Sequence, residues 1–150
     1  MFCPSGDHAA LCSGSVPAAN GVGDARSIAR MYSACVGEVV TPTGERVRIL
    51  SPDQVERATV QQTEGPDLVI LDVDLQFGLG FLLNRGVTAA MPIGGPRSFG
   101  HFGMGGSVGW VDPDTELAMG YVTNKMELGL TGDTRSYRLA KACNEAIAAL

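Results

Sequence analysis

What this sequence is short of narrows its function first. No apolar run approaches the roughly 18 residues needed to cross a bilayer. The N-terminal MFCPSGDHAALCSGSVPAANG has neither the basic nor the apolar region of a secretory signal. Cys3 is therefore not read as a lipid-anchor cysteine, and the cytoplasm is the default location expected. No run of Lys or Arg stands out and the net charge is −5, so a nucleic acid is not an expected partner. The four cysteines, Cys3, Cys12, Cys35 and Cys143, show no Cys-x-x-Cys spacing, and only His8 and His101 could join them. A zinc site is not expected, no cofactor is implied, and without an export signal the thiols are expected to stay reduced.

What is present describes a folded domain. Apolar residues make up 45% of the 150 and charged residues 18%, which excludes a disordered tail and is enough for one real core. Residues 1–16 show no period and read as a poorly ordered lead-in, with the domain proper over 17–150. Asp24 is a natural N-cap for a helix whose stripe is Ile28, Met31, Tyr32, Cys35 and Val36, with Gly37 after its end. Ser51-Pro52-Asp53-Gln54 combines an N-cap, a proline at the first helical position and a capping-box Gln.

Beyond Gly65-Pro66 the period changes to two. Phe77, Leu79, Phe81 and Leu83 alternate with glycines and Leu82, which predicts a strand closely packed on one face. Met91–Arg97 reads as a Pro/Gly loop. Further strands are predicted at Ser98–His101, Ser107–Val111 and Glu116–Thr123, with Asp112-Pro113-Asp114-Thr115 as a type I turn. Asp133 caps a closing helix that places Tyr137, Ala140, Cys143, Ile147 and Leu150 on one face. Two helices, three or four antiparallel strands and a last helix define an α+β fold.

Several chemical patterns have plain structural readings. Gly105-Gly106-Ser107-Val108-Gly109 matches the G-x-S-x-G nucleophile elbow, which needs a helix after the serine. Here a strand pattern follows, and both histidines precede Ser107, so the glycines are read as a tight strand entry. Asp72 and Asp74 read as solvent-facing positions rather than a catalytic pair. Asn20-Gly21-Val22-Gly23 lacks the third Gly or Lys of a phosphate loop and reads as a helix entry. His101 has two readings. It is either a satisfied edge histidine or, among Gly100, Gly103, Gly105 and Gly106, one wall of a ligand site.

PAANGVGDARSIARMYSACVG, ILSPDQVERAT, FGLGFLL and SFGHFGMGGSVGWVDPDTELAMGYVTNKM, in that order, resemble the C-terminal part of serine β-lactamase-like hydrolases. The branch is the class C type, with the family VIII carboxylesterases and penicillin-binding-protein relatives. The resemblance implies a catalytic site built from S-x-x-K, Y-x-N or Y-x-S, and a K-T-G or H-x-G triplet on the edge strand. It assigns the third to His101-Phe102-Gly103, with His101 and the Met104 backbone amide as catalytic contributions, the amide being an oxyanion donor. Phe102, Gly103 and Gly105 become substrate-binding positions. Phe102 stands where the family has a small hydroxyl residue, which favours an ester over a β-lactam substrate.

The first two motifs are absent from this sequence. Ser27-Ile28-Ala29-Arg30 has Arg in the Lys place, and a permanently protonated guanidinium cannot take a proton from serine. Tyr32, Tyr121 and Tyr137 are followed at the third position by Ala34, Thr123 and Leu139. The resemblance therefore implies the last portion of the family's domain. It would be inactive alone, prone to self-association, and able to act on a small ester or β-lactam-like substrate only when a complementing N-terminal polypeptide is supplied. A non-catalytic binding module and a truncated relic are the alternatives left open.

Overall fold

A computed structural model describes residues 14–15, 21–70, 73–85, 94–129 and 131–150. Apart from Gly14 and Ser15, the expected lead-in lies outside the described residues, as does Asp72. Helix α1 spans Ala25–Val36 and starts where Asp24 accepts a hydrogen bond from the Ser27 amide at 2.7 Å. Gly37 ends it in extended backbone rather than the left-handed form, its amide donating to the Ser33 carbonyl. A small hairpin of β1 (Val39–Val40) and β2 (Arg46–Val47) follows, and the sequence pattern did not announce it. Helix α2 spans Pro52–Ala58 with both halves of the Ser51/Gln54 capping box formed.

The main sheet is an antiparallel meander of four strands, β3 (Leu82–Leu83), β4 (Phe99–Phe102), β5 (Val108–Asp112) and β6 (Leu117–Tyr121), in spatial order β3-β4-β5-β6. Helix α3, Thr134–Ala148, closes the chain with Asp133 as its N-cap. Alternation of side chains along the strands feeds two cores, one on each face of the sheet. Phe99, Val111 and Leu83 meet Tyr32 and Cys35 of α1 and Val55 of α2. Phe102, Val108, Trp110 and Leu82 meet Leu75 and Ala140 of α3. The helices thus cover opposite faces, giving the expected α+β layering.

The segment around Phe77 departs from the predicted continuous strand. Only Leu82–Leu83 is a strand, and Phe77 bridges back to Leu82 through a tight reversal in which the Gly78 amide donates to the Phe81 carbonyl. Gly80 has φ +83°, and a Cβ at Gly78 would overlap the Ala58 carbonyl oxygen. The glycines that looked like one face of a strand are there to make a turn and seat it on α2. Leu150, placed by spacing on the packed face of α3, lies past the helix end and is fully exposed.

Tyr32 sits between α1 and the sheet, 7% exposed. Burial, reinforced by the neighbouring Cys35, pushes its phenol up to about 12. An unfolded phenol ionises near 10, so its contribution to stability is complete below about pH 10. It is lost as the pH rises through about 12, where the folded chain also ionises. The span corresponds to about 2–3 kcal/mol. Denaturant midpoints measured from pH 9 to 12 are expected to fall steeply for the wild type and to stay flatter for Tyr32→Phe.

Candidate active-site wall

The His101-Phe102-Gly103 triplet closes strand β4, and the chain then turns through Met104, Gly105 and Gly106 before Ser107 leads into β5. Two bonds close the turn: the Gly103 amide donates to Ser107 O at 2.6 Å and the Gly106 amide to Gly103 O at 3.2 Å. Gly105 and Gly106 have φ of +92° and +112°, values that β-carbon-bearing residues rarely adopt, which explains why two glycines stand together. Ser107 enters a strand and not a helix, so the G-x-S-x-G match is a turn and no nucleophile elbow.

His101 is exposed and pairs with Gly109 across the β4–β5 ladder. Its Nδ1 lies 2.6 Å from the Phe102 carbonyl oxygen. A carbonyl only accepts, so Nδ1 carries the hydrogen and Nε2 is left with the lone pair that can take a proton. The Phe77 ring flanks the imidazole at 5.9 Å between centroids. Beside it opens a cavity of about 280 Å³ between α1 and the turn, lined by Ile28, Met31 and Tyr32 on one side and by His101, Gly103 and Ser107 on the other. A larger cavity of about 810 Å³ lies elsewhere, against α2, among Arg48, Asp53, Glu56 and Arg97. No histidine or serine lines it, whereas His101 and Ser107 line the smaller one.

The five residues singled out from sequence are adjacent but face different ways. His101 and Gly103 border the cavity. The Met104 side chain is exposed, and among the described residues no acceptor takes its amide N–H. Phe102 is buried on the α3 side, its ring edge-on to Tyr137 at 5.8 Å, so only its backbone can face a ligand at the cavity. Gly105 is buried and both its backbone groups are engaged: its amide donates to Gly129 O at 3.1 Å and its carbonyl accepts from the Glu127 amide at 3.3 Å.

One neighbour of the turn escaped the sequence reading. Arg135, in the first turn of α3, donates through Nη2 to Gly105 O at 3.1 Å, through Nη1 to Lys125 O at 2.8 Å, and through Nε to Asp133 Oδ2 at 2.9 Å. That side-chain hydrogen bond, with help from the Ser136 and Arg135 amides, holds the Asp133 carboxyl below the usual carboxylate range. Asp133 was legible as a cap, but its partner lay 30 residues from the turn it touches and had no local signature. Asp74 is exposed, as expected of a solvent-facing position.

An antiparallel meander between helices, with a His-x-Gly strand end feeding a glycine turn at the cavity, is the architecture of serine β-lactamase-like hydrolases. The Beta-lactamase family model matches residues 3–144, and the chain belongs to that family. Esterase/beta-lactamase LipL of Mycobacterium tuberculosis (strain ATCC 25618 / H37Rv) is 40% identical over 123 residues, covering 79% of this chain and 26% of LipL. The solved structure of EstA from Arthrobacter nitroguajacolicus Rue61a superposes with a TM-score of 0.71 at 28% identity, covering 84% of this chain and 32% of EstA. A penicillin-binding protein homologue from Caulobacter crescentus gives a TM-score of 0.68 at 33% identity, covering 84% and 32%. The chain thus spans about a third or less of the length of these relatives. Among the described residues no helix is long and apolar enough to cross a membrane.

Proposed function

We propose that this chain forms the His-x-Gly wall of an ester-hydrolysing cleft whose nucleophile comes from residues outside this sequence. The observation that carries the proposal is the turn after His101-Phe102-Gly103. It presents an amide N–H without an acceptor among the described residues, at Met104, next to an imidazole whose Nε2 can take a proton. In acyl transfer the carbonyl oxygen gains negative charge as the nucleophile adds, and backbone donors aimed at that oxygen lower the barrier. The Met104 amide is assigned that task. His101 Nε2 is assigned the exchange of a proton with the nucleophile or the leaving group. Gly103 lets the backbone approach the substrate, Phe102 contributes only main chain, and Gly105, buried with its backbone engaged, shapes the turn.

The substrate is a small ester rather than a β-lactam. The cavity beside His101 is walled on the α1 side by Ile28, Met31 and Tyr32, with no Lys or Arg among its lining residues to hold a carboxylate. The absent S-x-x-K and Y-x-N or Y-x-S motifs leave no activated serine in this sequence, so the chain alone does not turn over. The partner segment that completes the cleft carries those motifs. Strand β6 suits such a partner, because it lies at the edge of the sheet and is half-buried along its length while β5 is buried throughout.

The test uses p-nitrophenyl esters and a chromogenic cephalosporin, with and without an N-terminal family polypeptide bearing both motifs. Ester turnover is expected only in the mixture, and His101→Ala is expected to lower it by roughly 100-fold. Turnover by these 150 residues alone would overturn the dependence on the two absent motifs. Undiminished turnover by the His101→Ala mixture would remove the role given to that residue.

A further inference from the structure

We propose that Arg135 is the positioning residue that fixes the Gly103–Gly106 turn and, through it, the direction of the Met104 amide. The inference rests on the oxyanion role given to that amide above. A turn with two consecutive glycines at positive φ is cheap to form but also free to leave, because glycine pays little to adopt other conformations. The Gly129 carbonyl and the Glu127 amide pair with the Gly105 backbone, and Arg135 adds a side-chain donor to the same Gly105 carbonyl. A backbone donor misplaced by about 1 Å loses much of its effect on a developing oxyanion.

Arg135 supplies the restraint with every donor it has. A guanidinium carries five N–H groups in one plane. Here Nε and Nη2 both donate to Asp133 Oδ2, Nη1 donates to Thr123 Oγ1 at 3.1 Å and Lys125 O at 2.8 Å, and the second Nη2 hydrogen goes to Gly105 O at 3.1 Å. The planar fork therefore ties three separate parts of the chain together: the glycine turn, the segment after β6 and the N-cap of α3. Asp133 fixes the fork's orientation from below, and it also caps α3 through the Arg135 and Ser136 amides at 2.8 and 3.2 Å. The lack of a side chain at Gly106 belongs to the same device, since a Cβ there would overlap Asp133 Oδ2 and lie 2.9 Å from Arg135 Nη2. Lysine would keep the charge opposite Asp133 but offers one nitrogen instead of a fork, so it cannot reach all of these acceptors together.

The experiment compares wild type, Arg135→Lys and Arg135→Gln in two measurements. The first is amide hydrogen exchange on the full chain. Exchange at Gly105 and Gly106 is expected to quicken by about tenfold or more in both variants, with the Gly109–Val111 amides of β5 unchanged as the check that the fold persists. The second is p-nitrophenyl ester turnover in the mixture with the N-terminal family polypeptide. There kcat is expected to fall roughly 10- to 100-fold with KM within about twofold, because a misdirected oxyanion donor weakens the transition state and not substrate binding. Unchanged exchange at Gly105 and Gly106 in Arg135→Lys would overturn the positioning role whatever happens to activity. Faster exchange with unchanged kcat would leave Arg135 as the clamp of the turn and overturn the oxyanion role of the Met104 amide.

Discussion

Gly120→Val is expected to abolish cooperative folding of this chain. Gly120 lies on β6 directly under α1, and a Cβ there would overlap the Ala25 carbonyl oxygen and lie 2.8 Å from the Ala29 amide nitrogen. Both neighbours are helix backbone, which cannot rotate aside as a side-chain tip could. Gly109 on β5 is its companion, where a Cβ would lie 2.6 Å from Ile28 Cγ2 and also meet the Tyr32 ring. Together the two glycines form a groove in which Ala25, Ile28, Ala29 and Tyr32, one helical stripe, rest directly on the sheet. Valine at 120 would lift α1 away and open the core built around Tyr32, Cys35, Phe99 and Val111. The cost is about 4 kcal/mol or more, a large part of the total stability of an ordinary domain. Thermal melts followed by circular dichroism check this, with Gly21→Ala as the control. Open space surrounds Gly21, and that substitution is expected to move the midpoint by less than about 2 °C.

Gly106→Ala has the second largest expected effect, and it falls on the site. The φ of +112° at Gly106 is a conformation that alanine pays to adopt, on the order of 1–3 kcal/mol. The added methyl would also strike the Asp133 carboxylate that orients Arg135. Two penalties therefore fall on one turn, and their sum is expected to reach about 3 kcal/mol and to lower the melting midpoint by roughly 10 °C. Unlike Gly120→Val, the damage begins at the turn between β4 and β5 and spares the contact of Gly120 with α1. The variant is expected to keep a cooperative melt while losing ester turnover in the complemented mixture by roughly 100-fold. A melt within about 2 °C of wild type would show that the turn tolerates a side chain and that Asp133 and Arg135 do not restrain it.

The helix starts were legible because capping is local chemistry. Asp24, Ser51 with Gln54, and Asp133 each satisfy amides within three residues, so the sequence window that predicts the cap also contains its partners. The β4–β5–β6 meander was legible within about a residue at most ends for a similar reason. Asp112 and Pro113 mark its second reversal, and the Asp112 side chain accepts the Asp114 amide at 3.0 Å. The Phe77–Leu83 stretch was misread because alternation with glycine suits both a packed strand and a turn. The choice between them was made by the Ala58 carbonyl, about 20 residues away in sequence. Arg135 was invisible as a site residue because all of its local features belong equally to an ordinary helix start.

Sequence by itself determined the class of this protein, its three helix starts and the β4–β5–β6 meander. These were within reach because caps and turn signals are short-range patterns written in consecutive residues. Only the tertiary structure decided how the groups around His101-Phe102-Gly103 are disposed. It turned Phe102 into the α3-side core, engaged Gly105 on both sides, set His101 Nε2 apart from Nδ1, and brought Arg135 and Asp133 onto the turn. Those outcomes depend on contacts between segments tens of residues apart, and such contacts exist only once helix and sheet have packed together.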